Sequence, residues 1–148
     1  MKIFWAFAIL VTLVAGTTGC TSLASGKKFS EYSAQANTDE ATVIVFRPDT
    51  FTGRADTVSI IANNVDQGKV QPAGFLAFSI PGNTVKLHTD TAGIDHPVEI
   101  DVKAGNTYYF RAKFTTYYVT GGWHLIPTSE LVAASSMRDL RESKGKVN

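Results

Sequence analysis

From Thr42 onward the chain is a succession of short runs that alternate apolar and polar residues, with turn signals between them. Thr84 to Thr89 sets Val85 and Leu87 against Lys86 and His88. Pro97 to Val102 sets Val98, Ile100 and Val102 against Glu99 and Asp101. Thr107 to Thr115 sets Tyr108, Phe110, Ala112 and Phe114 against Tyr109, Arg111 and Lys113. A period of two puts successive side chains on opposite faces of a strand, so each run has one apolar face to bury. Several such strands at roughly 8–12-residue spacing can bury those faces only by stacking two sheets or closing one. The expectation is therefore a mainly β fold: a small antiparallel β-sandwich, or a partly open barrel, over residues 41–148.

Other segments fill in this plan. Thr42 to Arg47 (TVIVFR) is apolar on both faces and reads as a central strand, ended by Pro48, which has no backbone donor. Thr57 to Ala62 and Val65 to Val70 form a hairpin around Asn63-Asn64, since Asn tolerates positive φ. Gly68 marks a bend or bulge in its second strand. Phe75 to Ile80 directs Leu76, Phe78 and Ile80 to one side. Pro81-Gly82 reads as a turn in which Pro presets φ and Gly takes the positive-φ position. Lys103 to Asn106 turns the chain again, Thr115 to Gly122 reads as a loop, and Trp123 to Ile126 as a last short strand. After Pro127, Thr128 or Ser129 can cap a short helix to about Leu140 with Leu131, Ala134 and Leu140 as its apolar stripe.

The first 40 residues follow another logic. Lys2 precedes an apolar stretch, Ile3 to Ala15, broken only by Thr12. That suits the core of a signal peptide and is shorter than the ~20 residues of a membrane-spanning helix. Ala15, Gly16, Thr17, Thr18 and Gly19 are small, and Cys20, the only cysteine, follows them. The run resembles the lipobox of bacterial lipoproteins, with Thr17 where that pattern carries an aliphatic residue. The resemblance implies cleavage before Cys20 and a diacylglyceryl thioether on its sulfur. It also accounts for an odd cysteine that an exported chain would otherwise leave as a free thiol. Residues 1–19 are thus expected to be a lipoprotein signal peptide. Residues 20–40, rich in Ser, Ala, Thr and charge, are expected to be the lipidated cysteine and a flexible tether of about 25 Å. Thr21 stands where Asp would signal inner-membrane retention, so the expected location is the outer membrane, facing the periplasm, with the membrane itself as a partner.

Loss of Lys2 with the leader brings the 14 basic residues down to 13, matching the 13 acidic ones. A neutral domain without a basic stripe is poorly suited to phosphate backbones, so nucleic acid is not an expected partner. With one cysteine, no internal disulfide can form, and stability rests on the apolar core.

The segments ATVIVFRP, FLAFSIPGNTVKLHT and VEIDVKAGNTYYFRAKF resemble the domain-of-unknown-function 2846 family of small, often lipid-anchored bacterial proteins. The shared motifs are a first strand ending in Arg-Pro (Arg47-Pro48), a Pro-Gly hairpin (Pro81-Gly82) and a Gly-x-Thr-Tyr-Tyr segment (Gly105 to Tyr109), within residues 41–132. The resemblance implies a small envelope sandwich and carries over no catalytic residue.

The chemistry-bearing residues are few. His88 and His96 flank the Asp90–Asp95 loop and could meet there with a carboxylate, but no metal-binding spacing such as HExxH supports a site. Three solvent-facing histidines are the plainer account. There is no GxSxG motif, no phosphate loop and no cofactor fingerprint, so neither catalytic residues nor a cofactor is expected. Tyr117, Tyr118 and Trp123, around Gly121-Gly122, are the candidate binding residues, because aromatics on a loop can form a platform for sugars or peptides. The alternatives are that they close the open end of the core, or that the segment is a strand with alternate rings buried; the apolar neighbours Leu125 and Ile126 lean Trp123 towards burial. Arg47 is expected to pair with a carboxylate or cap the sheet. The functional expectation is a non-catalytic, membrane-anchored interaction module for an envelope protein or glycan. A structural subunit of an envelope assembly and a hydrolase of envelope polymers are the alternatives.

Overall fold

The computed structural model describes residues 23–32, 38–50, 52–53, 55–90, 97–117 and 120–143. Two sheets face each other across one core, as the alternation requires. Strands β1 (Glu40–Arg47), β4 (Gly74–Pro81), β7 (Thr107–Tyr117), β8 (Thr120–Thr128) and β9 (Arg141–Glu142) form a five-stranded sheet in the order β8-β7-β1-β4-β9. Strands β2 (Val58–Ala62), β3 (Val65–Val70), β5 (Thr84–Thr89) and β6 (Val98–Asp101) form the other, in the order β3-β2-β5-β6. Helix α1 (Glu130–Met137) packs on the outer face of the larger sheet.

The pairing is antiparallel except at two places. β1 lies parallel to β7, with Val43 opposite Tyr108 and Phe46 opposite Arg111, and β9 lies parallel to β4. The larger sheet is therefore mixed. Strand patterns cannot show this, because a strand's alternation is the same in either direction.

The core between the sheets holds Val43, Val45, Val58, Ile60, Leu87, Phe110 and their neighbours. The residues expected to point inward along β4, β5, β6 and β7 do so. β1 is apolar on both faces because each face is covered. Val43 and Val45 meet the second sheet, while Ile44 and Phe46 lie under Met137, Ala133 and Leu140.

Three turns show how local chemistry sets register. Asn63 and Asn64 sit at φ 48° and 65°, as a tight hairpin of right-handed twist requires. Gly68 has φ 125° beside a register shift between Ile60 and Ile61, so it is the β-bulge. Gly82 is a correction. Its φ is not positive; a Cβ there would come within 3.1 Å of the Ala104 nitrogen, so glycine permits a close approach of two turns.

The helix is the second correction. Its buried residues are Ala133 and Met137, with Leu140 just beyond, while Leu131 is 82% exposed and Ala134 is exposed. The helix turns a different face to the sheet because Met137 fills the space over Phe46 and Phe75. Ser129 occupies the N-cap position without a side-chain cap bond, so burial rather than capping holds the helix.

The third correction concerns the tether. Residues 23–32 are part of the fold. The Ala24 amide donates to the Pro72 carbonyl (3.2 Å), that of Gly26 to Glu142 (3.0 Å) and that of Phe29 to Leu140 (2.9 Å). A 3-10 turn, Phe29–Glu31, follows. The Phe29 and Tyr32 rings each meet Phe75 edge-on at 5.3 Å. The outer face of β4 carries Phe75, and this segment takes it out of water. The domain thus begins before residue 41.

Candidate functional site

The expected site residues do not form one platform. Cys20 and Tyr118 lie outside the described residues. Tyr117 pairs with Thr120 as the last rung of the β7–β8 ladder, so the expected loop from Thr115 to Gly122 is largely the end of a long hairpin. Trp123 is only 3% exposed. It stands opposite Phe114 in the ladder, with the two rings crossing at 67° and 5.4 Å. Its carbonyl accepts the Thr89 hydroxyl at 3.0 Å, which joins the edge of one sheet to the other. Trp123 therefore closes the core and presents no face to a ligand.

The charged partner of Trp123 is Arg47, 1% exposed and the largest fully buried side chain among the described residues. Its guanidinium carbon lies 4.2 Å from the indole centroid. Nη1 and Nη2 donate to the main-chain carbonyls of Asp56 and Gly53. Burial lowers the Arg47 pKa, and the carboxylates of Asp56 and then Asp49 pull it back up. The cation is thus balanced by carbonyl dipoles, an aromatic face and two nearby acids. Gly53 completes the arrangement. At φ +75° it rests on the indole, and a Cβ there would fall 2.5 Å from Trp123 Cζ2. Arg47 fastens Gly53 and Asp56 over the end of the core, more than the sheet cap expected of it.

His88 lies on β5 on the outward side of the smaller sheet, because Leu87 and Thr89 point inward. His124 pairs with Lys113 on the outer side of the larger sheet. The two are on opposite faces of the sandwich, and His96 lies outside the described residues. Among the described residues no group of three His, Cys, Asp or Glu comes together.

Beside this arrangement lies a hollow of about 170 Å³ between Pro48, Thr52 and Phe114, and larger concave surfaces are elsewhere. A groove of about 470 Å³ runs along the outer face of the larger sheet, lined by Lys27, Glu31, Tyr32, Thr42, Ser79 and Glu142. One wall is the docked N-terminal segment, so the groove exists only because that segment folds back. Burial first, and the Glu142 carboxylate second, raise the Tyr32 pKa above its ordinary value. An ammonium, two carboxylates and three hydroxyls of both donor and acceptor character suit a polar ligand of low net charge, such as a sugar or an extended peptide. A second groove of about 420 Å³ lies at the far end of the sandwich, lined by Ile100, Tyr108, Tyr109, Phe110, Pro127 and Glu130. There the Tyr108 hydroxyl accepts from the Lys103 amide at 3.0 Å, and burial followed by Glu130 raises the Tyr109 pKa.

No family model, curated protein or solved structure matches this chain. Sequence reading missed the first groove because its wall, residues 27–32, looks like linker. The one available signal was the pair Phe29 and Tyr32, two aromatics in an otherwise polar stretch.

Proposed function

We propose that this chain is an envelope lipoprotein, acylated on Cys20, whose β-sandwich is a non-catalytic interaction module. The observation that carries the reading is the close succession of three features. The small-residue run ends in the lone Cys20, the chain docks onto the domain from Ala24, and the docked segment walls a polar groove. Anchor and binding surface thus belong to one continuous stretch of chain. Thr21 in place of Asp supports the outer membrane, with the domain on the periplasmic side. The resemblance to the domain-of-unknown-function 2846 family, carried by Arg47-Pro48, Pro81-Gly82 and Gly105 to Tyr109, implies the same reading. Among the described residues no helix is long and apolar enough to cross a membrane. The partner is an envelope protein or a cell-wall glycan held in the groove beside Tyr32 and Ser79.

Two measurements test this. Metabolic labelling with a fatty-acid probe should mark the wild type and not Cys20→Ser; equal labelling removes the anchor. A photoreactive side chain at Ser79, which is exposed in the groove, should crosslink one defined partner in intact cells. Capture of the same partner by a probe at Lys86, on the other sheet, would remove the groove from the proposal.

A further inference from the structure

β6 and β8 are edge strands of different sheets, and no ladder joins them. The groove of about 420 Å³ opens where their ends come together. Ile100 and Asp101 at the end of β6 line it with Pro127 and Thr128 at the end of β8, and Tyr108 and Phe110 of β7 lie between.

The register shows which way the β6 main chain points. The Val102 amide, one residue past β6, donates to the Asn83 carbonyl on the β5 side (3.0 Å). Facing alternates along an antiparallel strand, so Ile100 and Val98 also turn their main-chain groups to β5. Glu99 and Asp101 turn theirs away. The phase is the same from the other strand: Lys86, opposite Glu99, gives its carbonyl to the Asn63 amide on the β2 side (2.9 Å). Among the described residues no main-chain group pairs with Glu99 or Asp101 on the outer edge.

The rim of the groove is apolar. Ile126 is 40% exposed, Leu131 82% and Val132 51%, three of the five exposed large apolar side chains among the described residues. In the chain they bracket Pro127, Thr128 and Glu130, which line the groove. Apolar surface gathered beside a groove marks a place that a partner covers.

The charge is one-sided. The ionic lining residues are Asp101 and Glu130, both acids. Glu99 has Lys86 opposite it in the ladder, whereas Asp101 has Thr84, whose hydroxyl donates to Oδ1 (2.6 Å). A second copy of this chain paired through β6 would set these acids against their own images, which is unfavourable. A peptide with basic side chains meets opposite charge instead.

We propose that the free edge of β6 takes an extended basic peptide as a further strand of the smaller sheet. Its main chain pairs with Glu99 and Asp101. Its apolar side chains enter the groove over Tyr108 and Phe110, and its alternate basic ones meet Asp101 and Glu130. Strand addition of this kind draws affinity from the main chain and specificity from every second side chain. The site is separate from the groove beside Tyr32 and does not depend on acylation of Cys20.

The test uses the full chain in mild detergent with a fluorescein-labelled octapeptide of alternating lysine and valine. Binding should raise the anisotropy saturably. It should slow hydrogen exchange at the Glu99 and Asp101 amides, while Val98 and Ile100, already in the ladder, change little. The same octapeptide with alternate amides N-methylated should bind weaker by about tenfold or more, the scale of one or two net hydrogen bonds. Glu99→Pro should weaken binding similarly, since proline removes an outward donor and leaves the β5 pairing intact. Glu130→Gln and Leu131→Ser, both at exposed positions, should each weaken it several-fold. An octapeptide of alternating glutamate and valine should not bind. The inference is overturned by equal binding of the N-methylated or the glutamate peptide, or by no binding of the lysine peptide at millimolar concentration. Protection of Glu99 and Asp101 by self-association of the chain alone, or by a chitin tetrasaccharide and not the peptide, overturns it as well. None of these results bears on labelling of Cys20 or on crosslinking from Ser79.

Discussion

Arg47 lies over Trp123, its guanidinium carbon 4.2 Å from the indole centroid, with both residues almost wholly out of water. Three strands and a loop meet there. β1 supplies Arg47, β8 supplies Trp123, β7 supplies Phe114 against the indole, and the 48–57 loop supplies the carbonyls that accept from the guanidinium. Trp123→Ala should lower stability by about 3–5 kcal/mol, since a large aromatic leaves a cavity. Arg47→Met should cost about 1–3 kcal/mol, because the Gly53 and Asp56 carbonyls lose their donors. Chemical denaturation of both single variants measures this. Shifts within about 0.5 kcal/mol for both would mean that the pair is ornamental to the fold.

Gly53→Ala should be strained on two counts: its φ is +75° and its new methyl group would press on the indole. The cost should exceed ~1 kcal/mol, the usual scale for a residue forced into an incompatible backbone conformation. Combining it with Trp123→Ala should relieve the steric part, so the two losses should be less than additive. Full additivity in a double-mutant cycle would refute the contact.

Helix α1 offers a paired comparison. Met137→Ala should cost about 2–5 kcal/mol, because Met137 is fully buried against the outer face of the larger sheet. Leu131→Ser should change stability by less than ~0.5 kcal/mol, because Leu131 is 82% exposed. Thermal melts that rank the two variants the other way would show that the helix presents the face suggested by Leu131, Ala134 and Leu140.

Tyr32 and Tyr109 both have hydroxyl pKa values raised above 10.0, in each case by burial first and a neighbouring carboxylate second. The unfolded chain therefore loses these protons before the folded one does. Their contribution to stability is complete below pH 10 and declines as pH rises through the folded-state values. Absorbance titration at alkaline pH should show late-ionising tyrosines, and Glu142→Gln should bring one of them earlier. An unchanged titration in that variant would break the link between Glu142 and Tyr32.

Removing residues 23–32 should uncover Phe75 and open the groove wall. Phe29→Ala should weaken the docking by about 1.5–3 kcal/mol at most, the scale for full burial of such a side chain, and less because Phe29 is only partly buried. Limited proteolysis should then cut near Lys27-Lys28 sooner than in the wild type. Equal resistance would show that the segment does not depend on its aromatic contacts.

The residues themselves determine the class of fold and most of its elements. Period-two alternation in β5, β6 and β7 has one physical outlet, a half-buried strand, and TVIVFR had to lie in the middle of a sheet because both its faces are apolar. Asn63-Asn64 and Gly68 imposed their turn and bulge through backbone preferences that act within a few residues. What lay beyond local reach was decided by packing. The parallel run of β1 beside β7 depends on the path of the chain through the other sheet. Helix α1 turned Met137 inward because of the space over Phe46 and Phe75. The neighbours Leu125 and Ile126 favoured burial of Trp123, with Phe114 opposite it in the same hairpin, but Arg47 and Gly53, which pack against its ring, are distant from it in the chain. Residues 23–32, polar enough to read as a loose linker, are held by hydrogen bonds to residues 72, 140 and 142 and by Phe75. Their order comes from partners that a local reading of the sequence cannot supply, and with it comes the groove along the larger sheet.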